Sequence, residues 1–379
     1  MNIKKVFMTG IVIILSLTLV GVTHGKELIK VGWLGALTGP GAPFGMNYLQ
    51  GLKMGVEEVN AGGGVLGRKL EYVTIDDAAD PAQSVSAMTR LVYQDKVDVV
   101  VGGWGSATIL ANMKVCEKAG VPYLASGGSN PRITSKDNKW TFRPLHTDAN
   151  LGVEIAAVAV KLGYKQIGII HDRNDYGVGA RDVFIEAISK NNLKPVAVES
   201  YQMGDKDFAA QLIRIREAKP DVLAVFGTVT EGAAIATQRA KLGMGHLRII
   251  SVAGIANVNY IKLAGKDAEK TICLTPFNRY VSKESEVWAK IYEEKFKDTG
   301  VIPTPDVAYM SYSAIVNILK PALEIAGSTD KSKVRDAFRK VRWKDFGQKN
   351  ENYFDEIGQA IRESIIVHVV NGDFVPFKY

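Results

Sequence analysis

Short, nearly continuous apolar runs alternate with segments of helical periodicity along most of this chain. Residues 97–101 and 167–170 contain at most one polar side chain each. Such runs are typical of strands that are covered on both faces, as in parallel α/β sheets. The pattern predicts eight strands, which are Ile29–Ala36, Leu70–Ile75, Val97–Gly102, Pro122–Ala125, Gln166–His171, Lys194–Glu199, Asp221–Gly227 and Arg248–Val252.

Segments with an apolar stripe at helical spacing separate these strands. Leu49, Leu52, Val56 and Val59 recur at the three- and four-residue spacing of one helix face. The strand–helix alternation runs to about residue 125, and a helical pattern at 150–162 opens a second series that ends near residue 276. The sequence therefore predicts an α/β fold with two doubly wound parallel-sheet lobes.

The chain after residue 276 follows a different pattern. Three helices are predicted at about 284–298, 306–326 and 331–341, and a strand-rich tail follows at 353–377. Strands need partner strands to satisfy their backbone hydrogen bonds. We therefore expect the tail to return to an earlier sheet, so that each lobe is built from discontinuous segments.

The N-terminus has the pattern of a secretory signal peptide. Lys4 and Lys5 precede an uncharged apolar run at 6–22, and Thr23 and Gly25 supply small residues before a cut after Gly25. We predict that residues 1–25 are cleaved on export to the periplasm, with an uncleaved membrane anchor as the alternative. No cysteine lies near the cut, so lipid attachment there is not expected, and we expect a free periplasmic protein.

Composition narrows the class of protein. The chain has 379 residues, of which 46% are hydrophobic and 23% are charged, as in ordinary globular proteins. Two cysteines exclude a disulfide framework or a Cys-rich zinc site. Removing Lys4 and Lys5 lowers the formal net charge from +7 to +5. The basic stretch 331–344 is interpreted as a packed helix with a solvated charged face, and nucleic acid is not a predicted partner.

The motifs of common enzyme classes are absent from the sequence. There is no Walker A motif, no Gly-x-Ser-x-Gly and no His-Glu-x-x-His, and the glycines at 39–45 do not fit a dinucleotide fingerprint. The histidines that follow the signal segment are dispersed. We therefore predict no enzyme activity, no cofactor and no metal site.

Two glycine-rich loops follow neighbouring predicted strands of the first lobe. They are Gly102–Thr108 and Ser126–Pro131, and both combine glycines with hydroxyl side chains. Ligands of open α/β sheets bind beyond the carboxyl ends of the strands. Glycines allow backbone N–H groups to approach an anion, and the start of a helix adds its positive dipole end. The loops therefore predict a carboxylate-binding site rather than two simple tight turns.

Motifs in this order and spacing cover nearly the whole mature chain, and they are similar to those of a known family. The chain resembles type I periplasmic solute-binding proteins of the leucine/isoleucine/valine-binding family. The matching stretches are Gly35–Pro40 with Gly45, Asn60–Gly64, Asp76–Pro81, Gly120–Pro122, Ser129–Pro131, His171–Asp172, Asp175–Gly177, Asp205–Phe208, Pro220–Val222 and Phe354–Asp355 with Gly358.

The resemblance implies the type I periplasmic binding protein fold, with two lobes joined by a three-crossover hinge. It places the N-terminal lobe at 26–144 plus 277–351 and the C-terminal lobe at 145–276 plus 352–379. It also implies a monomeric substrate-binding protein of an ABC importer, which captures a small-molecule carboxylate by hinge closure and passes it to the membrane permease subunits. A ligand-sensing partner of a signalling receptor is the alternative role.

The same resemblance assigns site residues. It implies that Ser106, Gly127 and Ser129 hold the ligand carboxylate and that Tyr176 faces the ligand from the second lobe. Phe44 stands where the family has a tyrosine, so it can stack on a ligand but cannot donate a hydrogen bond. Trp104 adds a large apolar surface beside Ser106, and core packing is its alternative role.

One departure from the family bears on ligand identity. Family members that bind amino acids hold the α-ammonium with a glutamate, and this position is Ala253 here. A buried ammonium without a counter-charge is costly. Glu231 could substitute, although it also reads as an ordinary charge in the first turn of a helix. Otherwise the ligand lacks the ammonium group and is an aromatic or branched acid, an oxo acid or an amide rather than a branched-chain amino acid.

A second departure concerns cysteines. Some members carry a disulfide between positions that are Ala79 and Gly105 here, so that bond is absent. Cys116 and Cys273 are predicted to be buried and unpaired.

Overall fold

The structure is a computed structural model that describes residues 28–39 and 41–378. The predicted signal peptide at 1–25 lies outside the described residues. The strands are β1 (Ile29–Gly35), β2 (Leu70–Asp76), β3 (Val99–Gly102), β4 (Tyr123–Ala125), β5 (Thr141–Phe142), β6 (Ile167–Asp172), β7 (Pro195–Tyr201), β8 (Val222–Phe226), β9 (Arg248–Ile250), β10 (Ile272–Thr275), β11 (Arg342–Trp343), β12 (Asn352–Phe354), β13 (Ala360–Ile361), β14 (Ile365–Val370) and β15 (Asp373–Pro376).

The α-helices lie between these strands and in the long segment after β10. They are α1 (Ala42–Ala61), α2 (Pro81–Thr89), α3 (Ser106–Ala119), α4 (Asp148–Lys161), α5 (Asp175–Ser189), α6 (Ala209–Glu217), α7 (Val229–Arg239), α8 (Val258–Ala264), α9 (Lys283–Phe296), α10 (Pro305–Ser313), α11 (Lys320–Ala326) and α12 (Lys331–Phe338). In the described part of the chain, no helix is both long enough and apolar enough to cross a membrane.

The first lobe is built on a five-stranded parallel sheet in the order β2-β1-β3-β4-β5. One face packs against α1, α10, α11 and α12, with Leu52, Val101 and Met310 in the shared core. The other face packs against α2 and α3 through Met88 and Ile109. Burial on both faces explains why β3, in the middle of this sheet, has no polar side chain, whereas the edge strand β2 is partly exposed and carries Glu71, Thr74 and Asp76.

The second lobe is built on a seven-stranded sheet in the order β15-β14-β10-β9-β8-β6-β7. Strands β6 to β10 are parallel, and the C-terminal pair β14 and β15 is added antiparallel to β10. Helices α4 and α5 cover one face, and α6, α7 and α8 cover the other. The strand-rich tail therefore does return to an earlier sheet, and the predicted class of two doubly wound α/β lobes is confirmed.

A small antiparallel sheet of β11, β12 and β13 lies beside the first lobe. Phe354 and Ala360 of this sheet belong to the core of the first lobe. The boundaries predicted between the lobes stay a prediction. The basic stretch 331–344 packs through Val334 and Phe338, as expected for a helix with a solvated charged face.

Arg362 joins the segments that connect the two lobes. Its guanidinium donates to the carbonyl oxygens of Pro144 at 2.9 Å and of Pro276 at 3.2 Å. It also forms an ion pair with Asp345 at 2.9 Å, in which the side chains are only 1% and 2% exposed. One buried side chain therefore holds three chain segments that are distant in sequence.

Candidate ligand-binding cleft

A cavity of about 810 Å³, counting the space open to solvent, lies between the two lobes. Its walls come from residues that follow the carboxyl ends of strands in both sheets, which is where open α/β sheets bind ligands. The lining residues are Phe44, Tyr48, Ala79, Trp104, Gly105, Ser106, Ala107, Thr108, Gly127, Gly128, Ser129, Leu145, Leu151, Asn174, Tyr176, Met203, Thr228, Ala253 and Gly254.

The two glycine-rich loops of the first lobe lie directly against each other. Gly105 has a φ angle of 90°, a conformation that favours glycine, and its N–H donates to the carbonyl of Gly127 at 2.9 Å. A Cβ atom on Gly127 would lie 2.2 Å from the carbonyl oxygen of Gly103. Only glycine allows this approach, and it brings the predicted residues Gly127 and Ser106 to one wall of the cavity.

Ser106 is the first residue of α3, and its side chain lies at the positive end of the helix dipole. Its hydroxyl oxygen accepts a hydrogen bond from the N–H of Asn130 at 3.2 Å, which ties the first loop to the second. Ser129 lines the same wall. Hydroxyl groups and the backbone N–H groups of a helix start can hold a carboxylate without a basic side chain. None of the described side chains that line the cavity is charged.

Aromatic side chains form the apolar part of the first wall. Phe44 and Trp104 stack with ring centroids 5.4 Å apart and an interplanar angle of 24°. Tyr48 lies beside them, and burial raises the pKa of its hydroxyl, so that it stays neutral. Trp104 also packs into the core of the first lobe. The two roles considered for Trp104 are therefore compatible, since the residue packs in the core of the lobe and also lines the cavity.

Tyr176 reaches the cavity from the second lobe. It lies in the first turn of α5, where the side chain of Asn174 caps the helix by accepting from the N–H groups of Tyr176 and Gly177 at 3.0 Å. The Tyr176 hydroxyl oxygen accepts from the N–H of Gly254 at 2.9 Å. Burial raises the pKa of Tyr176, so the phenol remains protonated and its O–H can donate across the cavity.

Comparison with known proteins shows the family of this chain. Residues 28–373 match the family model described as periplasmic binding protein. This chain belongs to that family. An amino acid binding protein of Pseudomonas aeruginosa is 30% identical over 335 residues, which cover 88% of each chain. The match to the leucine/isoleucine/valine-binding branch, which the sequence motifs indicated, is thereby confirmed.

Two crystal structures are similar over most of their length. The leucine binding protein LivK of Thermotoga maritima has a TM-score of 0.82 and 27% identity, covering 93% of this chain and 98% of that one. The branched-chain amino acid transporter substrate binding protein LivJ of Streptococcus pneumoniae, in complex with isoleucine, has a TM-score of 0.81 and 26% identity, covering 92% and 98%. The chain is a periplasmic binding protein of an ABC transporter and not an enzyme.

The binding protein has no acidic side chain where the family glutamate was expected. Ala253 lines the cavity, as the sequence placed it. Glu231 does not line it; the side chain is 3% exposed and lies behind Thr228. The Glu231 carboxylate accepts from the N–H of Gly204 and from the Thr228 hydroxyl, each at 2.9 Å. Glu231 is therefore one layer removed from the cavity.

Several lining residues of the binding protein were not found from the sequence. Asn174, Met203 and Thr228 follow the ends of β6, β7 and β8, so the rule that located the first-lobe loops would have found them in the second lobe. Tyr48, Leu145 and Leu151 carry no comparable signal, because the sequence pattern of an apolar residue in a helix or a connection is the same whether the residue lines a cavity or packs in the core.

No His, Cys, Asp or Glu side chain is among the described residues that line the cavity. In residues 28–39 and 41–378, no cluster of three or more His, Cys, Asp or Glu side chains could hold a metal ion. Cys116 and Cys273 are buried and unpaired, and burial raises the pKa of both thiols. Ala79 and Gly105, which stand at the family disulfide positions, both line the cavity.

Proposed function

We propose that this protein captures a small carboxylate with an apolar body, such as a branched-chain amino acid or a related hydrophobic acid. The observation that carries the proposal is the convergence of Ser106 and the two glycine-rich loops on one wall of an uncharged, largely apolar cavity. The loops provide donors for a carboxylate, and the aromatic pair provides surface for an apolar side chain. The names of the relatives agree with this class of ligand.

In this proposal, Ser106, Gly127 and Ser129 bind the carboxylate, and Phe44 and Trp104 contact the apolar body. Tyr176 adds a hydrogen bond from the second lobe when the lobes close around the ligand. The closed form is then the one that the membrane permease subunits select. We also propose that the protein acts as a monomer and that residues 1–25 are a cleavable signal peptide.

A second candidate ligand class lacks the ammonium group. It is favoured by one observation, which is that Ala253 lines the cavity and no described lining residue is acidic. An aromatic acid, an oxo acid or an amide would need no counter-charge at this position.

The Ser106→Ala variant tests the proposed function. We expect affinity for a bound carboxylate to fall by about 10- to 100-fold, because a hydrogen bond to a charged group contributes about 1.5–3 kcal/mol. Titration calorimetry with leucine, its oxo acid and benzoate measures the loss.

Ser86→Ala is the matched control, because Ser86 is an exposed serine in α2 of the same lobe. It should leave affinity unchanged. Unchanged affinity of Ser106→Ala for every carboxylate that the unmodified protein binds would show that the carboxylate lies elsewhere.

A further inference from the structure

The second-lobe wall of the cavity contains a hydroxyl group whose hydrogen is already committed. Thr228 lines the cavity, and its hydroxyl lies 2.9 Å from the carboxylate of Glu231. A carboxylate can only accept a hydrogen bond, so the Thr228 hydroxyl is the donor in this contact. The Thr228 oxygen is therefore left with lone pairs, and toward the cavity it can only accept.

The position of Thr228 in α7 makes this arrangement unusual. Thr228 is the residue that precedes the helix, where a threonine oxygen ordinarily accepts from a backbone N–H of the first turn. Its side chain makes no such capping bond. The acceptor capacity of the Thr228 oxygen is therefore not used by the helix and remains available to a ligand.

Glu231 is held in a fixed orientation behind Thr228. One carboxylate oxygen accepts from the Gly204 N–H and the other from Thr228, and the side chain is buried. Gly204 follows Met203, which lines the cavity. The carboxylate thus lies directly beneath the cavity wall that Met203 and Thr228 form, where its charge is weakly screened.

The surroundings of Glu231 are acidic and incompletely hydrogen-bonded. The Tyr201 hydroxyl is fully buried against Gly227 and has no hydrogen-bond partner in the described part of the chain. Burial raises the pKa of the Tyr201 hydroxyl, and the nearby carboxyl groups of Asp172, Glu231 and Asp205 add to that rise. Burial raises the pKa of Asp172 to about 6, and Glu231 adds to that rise. This wall therefore favours a positively polarised group on the ligand.

We infer that Thr228 and Glu231 form a subsite for a hydrogen-bond donor that the ligand carries near its carboxylate, an ammonium or a hydroxyl group. The inference rests on the proposed function, because the first lobe must hold the carboxylate for the donor to face the second. Thr228 contacts the donor, and Glu231 acts through Thr228 as a positioning residue. The subsite differs in position from Ala253, where the family glutamate was expected.

Three ligands with one carbon skeleton test the inference. They are leucine, which carries an ammonium, 2-hydroxy-4-methylpentanoate, which carries a hydroxyl, and 4-methyl-2-oxopentanoate, which carries only an acceptor. Titration calorimetry with the unmodified protein should give leucine or the hydroxy acid an affinity about 10- to 100-fold above that of the oxo acid.

Two variants assign that preference to the subsite. Thr228→Val keeps the shape of the side chain and removes the acceptor, so it should remove the preference and leave affinity for the oxo acid unchanged. Glu231→Gln removes the charge, so it should weaken the binding of leucine, whose donor is an ammonium, more than that of the hydroxy acid, whose donor is an uncharged hydroxyl. Thr230→Val, at an exposed threonine of the same helix turn, is the matched control.

The outcomes separate this inference from the proposed function. If the oxo acid binds as tightly as leucine and the hydroxy acid, and Ser106→Ala weakens it, the carboxylate site stands and the donor subsite is wrong. If Thr228→Val weakens all three ligands equally, Thr228 has only a packing role and the subsite is wrong. If none of the three acids binds, the proposed carboxylate site and the donor subsite are both wrong for ligands with this branched carbon skeleton. Thr228→Val alone decides the subsite if Glu231→Gln does not fold.

Discussion

Asp148 shows how a single residue connects the carboxylate loop to the second lobe. Its backbone N–H donates to the carbonyl of Ser129 at 2.7 Å, and its side chain is fully buried at the start of α4. Burial raises the pKa of the Asp148 carboxyl to about 7, against the opposing effects of the Ser129 hydroxyl and of Arg143. The folded protein therefore holds the Asp148 proton more tightly than the unfolded chain does.

This shift predicts a pH-dependent effect of Asp148→Asn on stability. Because the folded pKa is raised from 3.8 to about 7, protonation of Asp148 favours folding at low pH, and this contribution is lost as pH rises from about 4 to about 7. Asparagine is neutral throughout. The melting temperature of Asp148→Asn, relative to that of the unmodified protein, should therefore rise by several degrees between pH 4 and pH 8, as measured by thermal unfolding.

Comparing the melting temperature of Asp148→Asn with that of the unmodified protein separates the effect of Asp148 from the effects of other titratable groups. Burial lowers the pKa of His146 to about 3, but His146 is present in both proteins and cancels in the difference. Asp298→Asn, at an exposed aspartate, is the control and should show a flat difference over the same range. A flat difference for Asp148→Asn as well would contradict the shifted pKa.

The residues of the site differ in whether the surrounding sequence reveals them. Ser106, Gly127 and Ser129 were predictable because each lies in a loop whose composition differs from its surroundings and directly follows a strand. Thr228 was not found, because one threonine before a helix reads as a cap. Glu231 reads from sequence as a first-turn helix charge, and only the fold reveals that it lies behind Thr228.

At the level of elements, the packing of α1 against α10 constrains the sequence of α1 tightly. A Cβ atom on Gly51 would lie 1.9 Å from the carbonyl oxygen of Ala308, and one on Gly55 would lie 3.2 Å from the carbonyl oxygen of Tyr312. The two helices approach this closely only because α1 presents glycines one turn apart. The contact fixes α1, whose first turns carry Phe44 and Tyr48 into the cavity.

Gly51→Ala should therefore separate the two helices and destabilise the protein. Overpacking of a core contact costs about 1–3 kcal/mol, and the clash here is with backbone, which cannot move aside easily. Chemical denaturation should show this loss in the free energy of unfolding.

Gly62→Ala, at the end of the same helix, is the matched control. Its Cβ would be 3.6 Å from the nearest atoms, an ordinary contact distance. Equal stability of Gly51→Ala and Gly62→Ala would contradict the close approach of α1 and α10.

Elements with a continuous apolar pattern were predicted well. The eight predicted strands agree with the structure to within two residues at each end, and burial on both faces leaves a clear signal in strands such as β3, β6 and β8. The stretch 306–326 is helical throughout, as predicted, but a π-helical segment at 314–319 separates α10 from α11. Pro321 lies at the start of α11 and lacks the N–H of a regular helix, a local effect that the apolar periodicity does not show. Strand β5 has only two residues, too few for any pattern.

For the whole molecule, the hinge predicts compaction on ligand binding. The cavity lies between lobes that Arg362 ties together at their connecting segments, so closure around a ligand can bring the two walls together without unfolding either core. Small-angle scattering of the unmodified protein at saturating ligand should show a smaller radius of gyration than without ligand.

Ser106→Ala provides the control for compaction. At a ligand concentration that saturates only the unmodified protein, this variant should remain at the larger radius. An unchanged radius for the unmodified protein at full occupancy would rule out closure as the binding mechanism.

The late strands β14 and β15 have a consequence for how the chain acquires its structure. The core of the first lobe includes Phe354 and Ala360, and the second sheet has no partner for β10 on one side until β14 is present. A chain that crosses a membrane from its N-terminus therefore cannot complete the first core until about residue 360 has emerged, or the second until about residue 370. Folding is consequently a late event that follows transport of nearly the entire chain, and the earlier segments must stay soluble while they wait.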